Sequence, residues 1–202
     1  MNKPKLYYPG LIKLIKPLAL DTEKYPVYIV GIRGYYKNSM GSAGVNDRGI
    51  YDDALFIVSG NKSYPFNGNV DPASYRKGYG FAEQKGMAST KPGLYYCLKL
   101  DYHKGKYLAL CQRLGPITVI RDGNPPYEHT SKYIGANNHK GGISTTNSLA
   151  CWTVVPSQWD EYINLVVSEM KMHYGEITTG KFDALNRPIY KDIIIPNILI
   201  EF

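Results

Sequence analysis

Short runs of β-branched and aromatic residues, each closed by a glycine, proline or Asn/Asp turn, recur along most of this chain and restrict it to folds assembled from many brief strands. Residues 27–36 (VYIVGIRGYY), 53–59 (DALFIVS), 107–111 and 117–121 read as such strands. Leu114-Gly115-Pro116 and Asp122-Gly123-Asn124-Pro125-Pro126 read as the turns around them. The pattern predicts a mainly β domain, an antiparallel sandwich or barrel. Residues 60–79 carry turn dipeptides and aromatic side chains, and read as a long surface excursion with Asn67-Gly68 as a tight turn. The periodicity changes only once. After Pro156-Ser157-Gln158, the residues Trp159, Tyr162, Ile163, Val166, Val167 and Met170 fall on one helical face as far as Tyr174, and Gly175 stops the run. The tail, residues 189–202, has strand character broken by Pro196, which suits an edge strand.

A chain of 202 residues suits one domain with a proper core. Residues 1–25, rich in lysine and proline, read as an irregular arm with a short strand near residues 11–15, and residues 26–202 as the domain itself. Pro9, Lys13, Lys16 and Pro17 interrupt the first apolar run, so neither a signal peptide nor a membrane span is expected there. The net charge of +7 and a pI near 9.1 favour an anionic partner. The basic residues are spread out, with no clustered basic helix or ribonucleoprotein-type strand, which argues against nucleic acid. Cys97 and Cys111 lie in apolar, strand-like runs and read as buried thiols, with a disulfide between them left open. His103, His129, His139 and His173 lack paired metal-ligand spacing, and Gly41 and Gly44 are not followed by a phosphate-loop lysine, so no metal or other cofactor is expected.

Chemistry concentrates between residues 137 and 159, NNHKGGISTTNSLACWTVVPSQW. An ordinary cysteine is mostly protonated at neutral pH, and an imidazole within hydrogen-bond reach makes it a useful nucleophile. His139 and Cys151 are too far apart for one helical face, but a loop that doubles back unites them. Gly141-Gly142 supplies a backbone free to adopt positive φ for that return. The β propensity of residues 152–155 places Cys151 where the loop enters a strand.

His139, the glycine-rich loop and Ser148-Leu149-Ala150-Cys151 together resemble the signature of the L,D-transpeptidase catalytic domain. Thr90-Lys91-Pro92-Gly93 with Leu94-Tyr95-Tyr96 is similar to that family's Thr-Pro-x-Gly-x-aromatic element. The short loop looks most like the compact relatives among phage lysis proteins and interbacterial cell-wall toxins. Ala150 stands where the family usually has glycine, and Trp152-Thr153 replaces its aliphatic-Arg/Asn pair. The resemblance implies an L,D-transpeptidase-like fold with one helix after the cysteine. It implies Cys151 as nucleophile, His139 as base and Ser148 as an orienting hydroxyl, with Gly141, Gly142, Ala150 and Trp152 at the substrate or the oxyanion. The implied reaction is acyl transfer on peptidoglycan stem peptides, by transpeptidation or by carboxy- or endopeptidase hydrolysis. Such a protein would be made in the cytoplasm and act at the cell wall or periplasm after release or delivery. The alternative is a binding or virion protein that retains the fold without turnover.

Overall fold

A strand covered on both faces has no need to alternate apolar with polar residues, and VYIVGIR is buried at every position. The computed structural model describes residues 1–76 and 86–202. The elements in order are α1 (Tyr8–Ile15), β1 (Val27–Arg33), β2 (Asp53–Ser59), β3 (Lys62–Asn69), β4 (Ala88–Thr90), β5 (Gly93–His103) and β6 (Tyr107–Gln112). They continue as β7 (Ile117–Arg121), β8 (Tyr127–Ser131), β9 (Asn138–Lys140), β10 (Trp152–Val154), α2 (Trp159–Tyr174), β11 (Thr178–Phe182), β12 (Pro188–Tyr190) and β13 (Ile195–Glu201). Eight strands close into a barrel in the order β1-β13-β5-β6-β9-β10-β3-β2, with β4-β7-β8 and β11-β12 as small separate sheets. Closure leaves the barrel strands no open edge.

The two faces of β1 explain the layering. Val27 and Ile29 join the main core with Leu55, Phe66, Trp152 and Val154, and the apolar stripe of α2 (Trp159, Tyr162, Ile163, Val166, Met170) packs into the same cluster. Tyr28, Val30 and Ile32 face the other way, into a second cluster closed by Leu11 and Ile15 of α1. Asp160 and Glu161 in the first turn of α2 and Lys171 and His173 in its last complement the helix dipole, and Gly175 ends it with φ 68°.

The mainly β, barrel-type expectation holds in this coarse form, and four details differ. The barrel is mixed, because β1 pairs β13 and β9 pairs β10 in parallel. Residues 1–25 are not an irregular arm with a strand: Pro9 opens α1, where an early proline costs no hydrogen bond, and Leu11 and Ile15 one turn apart seat it on the barrel. Asn67-Gly68 is no turn but the buried end of β3, opposite Ala54 and Asp53, and the reversal comes earlier, at Gly60. The tail is no edge strand, since β13 pairs on both sides; Pro196 fits where the register with β5 shifts between Ile195 and Asn197.

Gly31 lies on the inner face of β1, where an added Cβ would come within 2.7 Å of the Trp152 ring. Gly31→Ala should therefore cost about 1–3 kcal/mol through overpacking, read as a lower midpoint in urea unfolding. An unchanged midpoint would show that the wall between β1 and Trp152 is slacker than described.

Candidate active site

The parallel register of β9 and β10 decides which side chains meet. Asn138 lies opposite Trp152, His139 opposite Thr153 and Lys140 opposite Val154. The Trp152 N–H donates to Asn137 O (2.9 Å), and the Gly141 N–H donates to Val154 O (2.9 Å). Successive strand residues point to opposite faces. Asn138, Trp152 and Val154 therefore turn toward the core, where the Asn138 amide donates to the Tyr162 hydroxyl at 3.4 Å. Asn137, His139 and Cys151 share the other face. There His139 and Cys151 are diagonal neighbours, and at rest each side chain bonds a backbone carbonyl, Lys140 O and Gly135 O, and not the other.

Cys151 is half-buried, and its thiol donates to Gly135 O at 3.2 Å. Burial pushes it above the ordinary thiol range; the Asn137 N–H directed at the sulfur and the charge of Lys104 pull the other way. His139 is 6% exposed and its Nδ1 lies 2.7 Å from Lys140 O. A carbonyl only accepts, so Nδ1 carries the hydrogen and Nε2 is left as the free base. Burial lowers the basicity of His139, the bond to Lys140 O raises it, and Lys104 lowers it again, with a net shift downward. Both shifts favour the uncharged thiol and imidazole. The pair at rest is thus neutral and suited to general-base proton transfer during attack, rather than a standing thiolate-imidazolium pair of the kind the sequence alone suggests.

The loop between the two strands is strapped down. Ser148 is buried and its hydroxyl donates to Cys151 O at 2.5 Å, so it fixes the backbone under the thiol without touching the sulfur. Ser148 O and Leu149 O accept from Ala73 N (2.7 Å) and Ala88 N (3.0 Å). Gly141 and Gly142 do not have positive φ, contrary to the role expected for them. Close approach is what excludes a side chain there: a Cβ on Gly141 would run into the Tyr51 ring and one on Gly142 into Thr145 O and the Asn147 amide, while the Tyr51 hydroxyl donates to Gly142 O at 2.6 Å. Tyr51 is in turn held by its neighbours, with Asn69 donating to Ile50 O (2.6 Å) and the Asp47 N–H donating to the Asp52 carboxylate (2.7 Å). Ala150 also lacks positive φ, so nothing in the backbone there calls for glycine. The N–H groups of Ala150 and Cys151 have no acceptor among the described residues. Trp152, expected near substrate, is instead a core residue, 1% exposed, with its indole N–H donating to Thr90 Oγ1 at 3.0 Å. That bond ties the Thr90-Lys91-Pro92-Gly93 element to the strand that carries Cys151.

Three contributors escape a reading of the sequence. His103, at the end of β5, stacks on His139 with ring centroids 4.4 Å apart. Asn137 donates to His103 Nδ1 (3.0 Å) and accepts from Gln112 N (2.8 Å). Strand pairing alone brings His103 and Gln112 here, and no local spacing signals it. Among the described residues no group of three or more His, Cys, Asp or Glu side chains could hold a metal ion.

Cys97 and Cys111 are fully buried and their thiols are pushed up to about 12, so in the folded protein a soluble alkylating agent should modify Cys151 first. Peptide mapping after a short iodoacetamide pulse at pH 8 tests this, and equal labelling of all three thiols would contradict it. No protein-family model, no curated protein and no solved structure matches this chain.

Proposed function

We propose that this protein is a cysteine-dependent acyl-transfer enzyme acting on the stem peptides of bacterial peptidoglycan, and that its barrel is of the L,D-transpeptidase type. The observation that carries the reading is the β9–β10 register, which sets a neutral imidazole and a thiol on one face, with the backbone N–H groups of Ala150 and Cys151 unpaired among the described residues. In the proposed reaction His139 Nε2 takes the Cys151 proton as the sulfur attacks an amide carbonyl carbon. The N–H groups of Ala150 and Cys151 receive the oxyanion, and donors so placed are worth several kcal/mol. The imidazolium then protonates the leaving nitrogen, the C–N bond breaks and a thioester remains. An amine or a water molecule attacks the thioester, gives its proton to His139 and releases the acyl group, and the proton returns to sulfur. The net charge of +7 suits an anionic wall polymer.

One observation favours a second reading, a wall-binding protein without turnover: at rest the Cys151 proton points to Gly135 O and not to the imidazole. Incubation with purified peptidoglycan, followed by chromatography of the released stem peptides, separates the two. The enzyme reading expects cleaved or exchanged stems, lost on Cys151→Ala and reduced about 10²–10⁴-fold on His139→Ala. Equal activity of Cys151→Ala and the parent would overturn the nucleophile, and binding without product would establish the second reading.

A further inference from the structure

His103 takes no part in the reaction outlined above, yet it is 6% exposed and lies face to face with His139, the ring planes only 25° apart. We propose that His103 is a positioning residue: a strut running from Gln112 through Asn137 to His103 clamps the His139 ring beside Cys151 and so sets the pH at which the thiol becomes reactive. The proposal rests on Cys151 and His139 acting as a proton-transfer pair.

Hydrogen-bond direction carries the argument. The Asn137 carbonyl oxygen is committed to the Gln112 N–H at 2.8 Å, so its amide nitrogen is the atom facing His103 Nδ1 at 3.0 Å. That nitrogen only donates, so Nδ1 must accept and the hydrogen of His103 sits on Nε2. Protonating His103 would set two donors against each other. The strut therefore admits only the neutral ring. Asn137 also sends its backbone N–H to the Cys151 sulfur and accepts from Trp152 N, so one residue fixes the thiol, the register and the second imidazole together.

The surrounding charges act in the same sense. Lys104, in the turn after β5, bears on His103, His139 and Cys151, and Arg113, just past β6, bears on His103. The Tyr107 ring of β6 lies 5.7 Å from His103, and Lys140 follows His139 in β9. The nearby carboxylate Asp101 is engaged by Arg113 at 2.7 Å. Burial, then the charge of His139, then Lys104 and Arg113 push His103 down to about 4. His139, buried against a neutral His103 ring and with the charge of Lys104 acting on it, resists protonation. It stays a free base at a lower pH than an ordinary histidine does, so the acid limb of thiol reactivity should lie below pH 6.5, the usual histidine value.

The test measures the rate of Cys151 alkylation by iodoacetamide from pH 5 to 9 in the parent, His103→Ala, His103→Phe and His139→Ala proteins, each checked for a native thermal transition. The expected result is an acid limb below 6.5 in the parent, absent in His139→Ala and moved to higher pH in His103→Ala. A move of one unit would cut the rate on the limb by about tenfold. His103→Phe keeps a flat ring but gives Asn137 no acceptor, and it should move the limb in the same direction; this variant serves if His103→Ala does not fold. A limb unmoved in the folded His103 variants, yet absent in His139→Ala, would overturn this role for His103 alone. A limb that survives in His139→Ala would overturn the cysteine-histidine pair as well.

Discussion

Parallel pairing of two three-residue strands is the constraint from which the site follows. β9 and β10 are joined by a loop that leaves the sheet and returns in the same direction, and that geometry sets partners in register on one face. A slip of one residue would turn His139 inward and Asn138 outward. The register is held from several sides. Trp152 is packed against Gly31 and bonded to Thr90, Tyr51 lies over Gly141 and Gly142, and Ser148 holds the carbonyl of Cys151. These contacts link the site loop to β1, to β4 and to the segment before β2, so barrel closure and site geometry depend on each other.

Burial then decides the electrostatic character of the pair. Removing a thiol and an imidazole from water penalises the charged form of each, raising one and lowering the other. The opposing influences at the sulfur, one amide N–H and one lysine, are the weaker ones. A neutral pair protects the sulfur from adventitious oxidation, which favours the thiolate, and in the proposed reaction charge would develop only during attack. In the proposed reaction the unpaired N–H groups of Ala150 and Cys151 would serve as donors to the oxyanion.

Local signals in the sequence were reliable where local forces decide the structure. The 3.6-residue period with a terminal glycine located α2, and β-branched runs located β2 and β7. Signals failed where tertiary contacts override them. Asn67-Gly68 has the composition of a tight turn, but pairing with β2 on one side and β10 on the other keeps it extended. LIKLI has strand-like composition, yet Leu11 and Ile15 one helical turn apart answer an apolar surface on β1 and β2 that no local reading exposes. The same division runs through the site. His139, Ser148 and Cys151 fall within one stretch and could be singled out together. Tyr51, His103 and Gln112 arrive from other strands and loops, and only the order of strands in the barrel places them there. Gly141 stands out as a glycine, but the reason for it is Tyr51, far away in the chain.

The central claim is that the imidazole of His139 and the sulfur of Cys151 share one microenvironment. An NMR titration of the His139 ring, before and after S-methylation of Cys151, addresses it most directly. The account predicts a midpoint below the ordinary histidine value of about 6.5 that moves when the sulfur is capped. A midpoint at the ordinary value, indifferent to capping, would mean that the two groups do not meet.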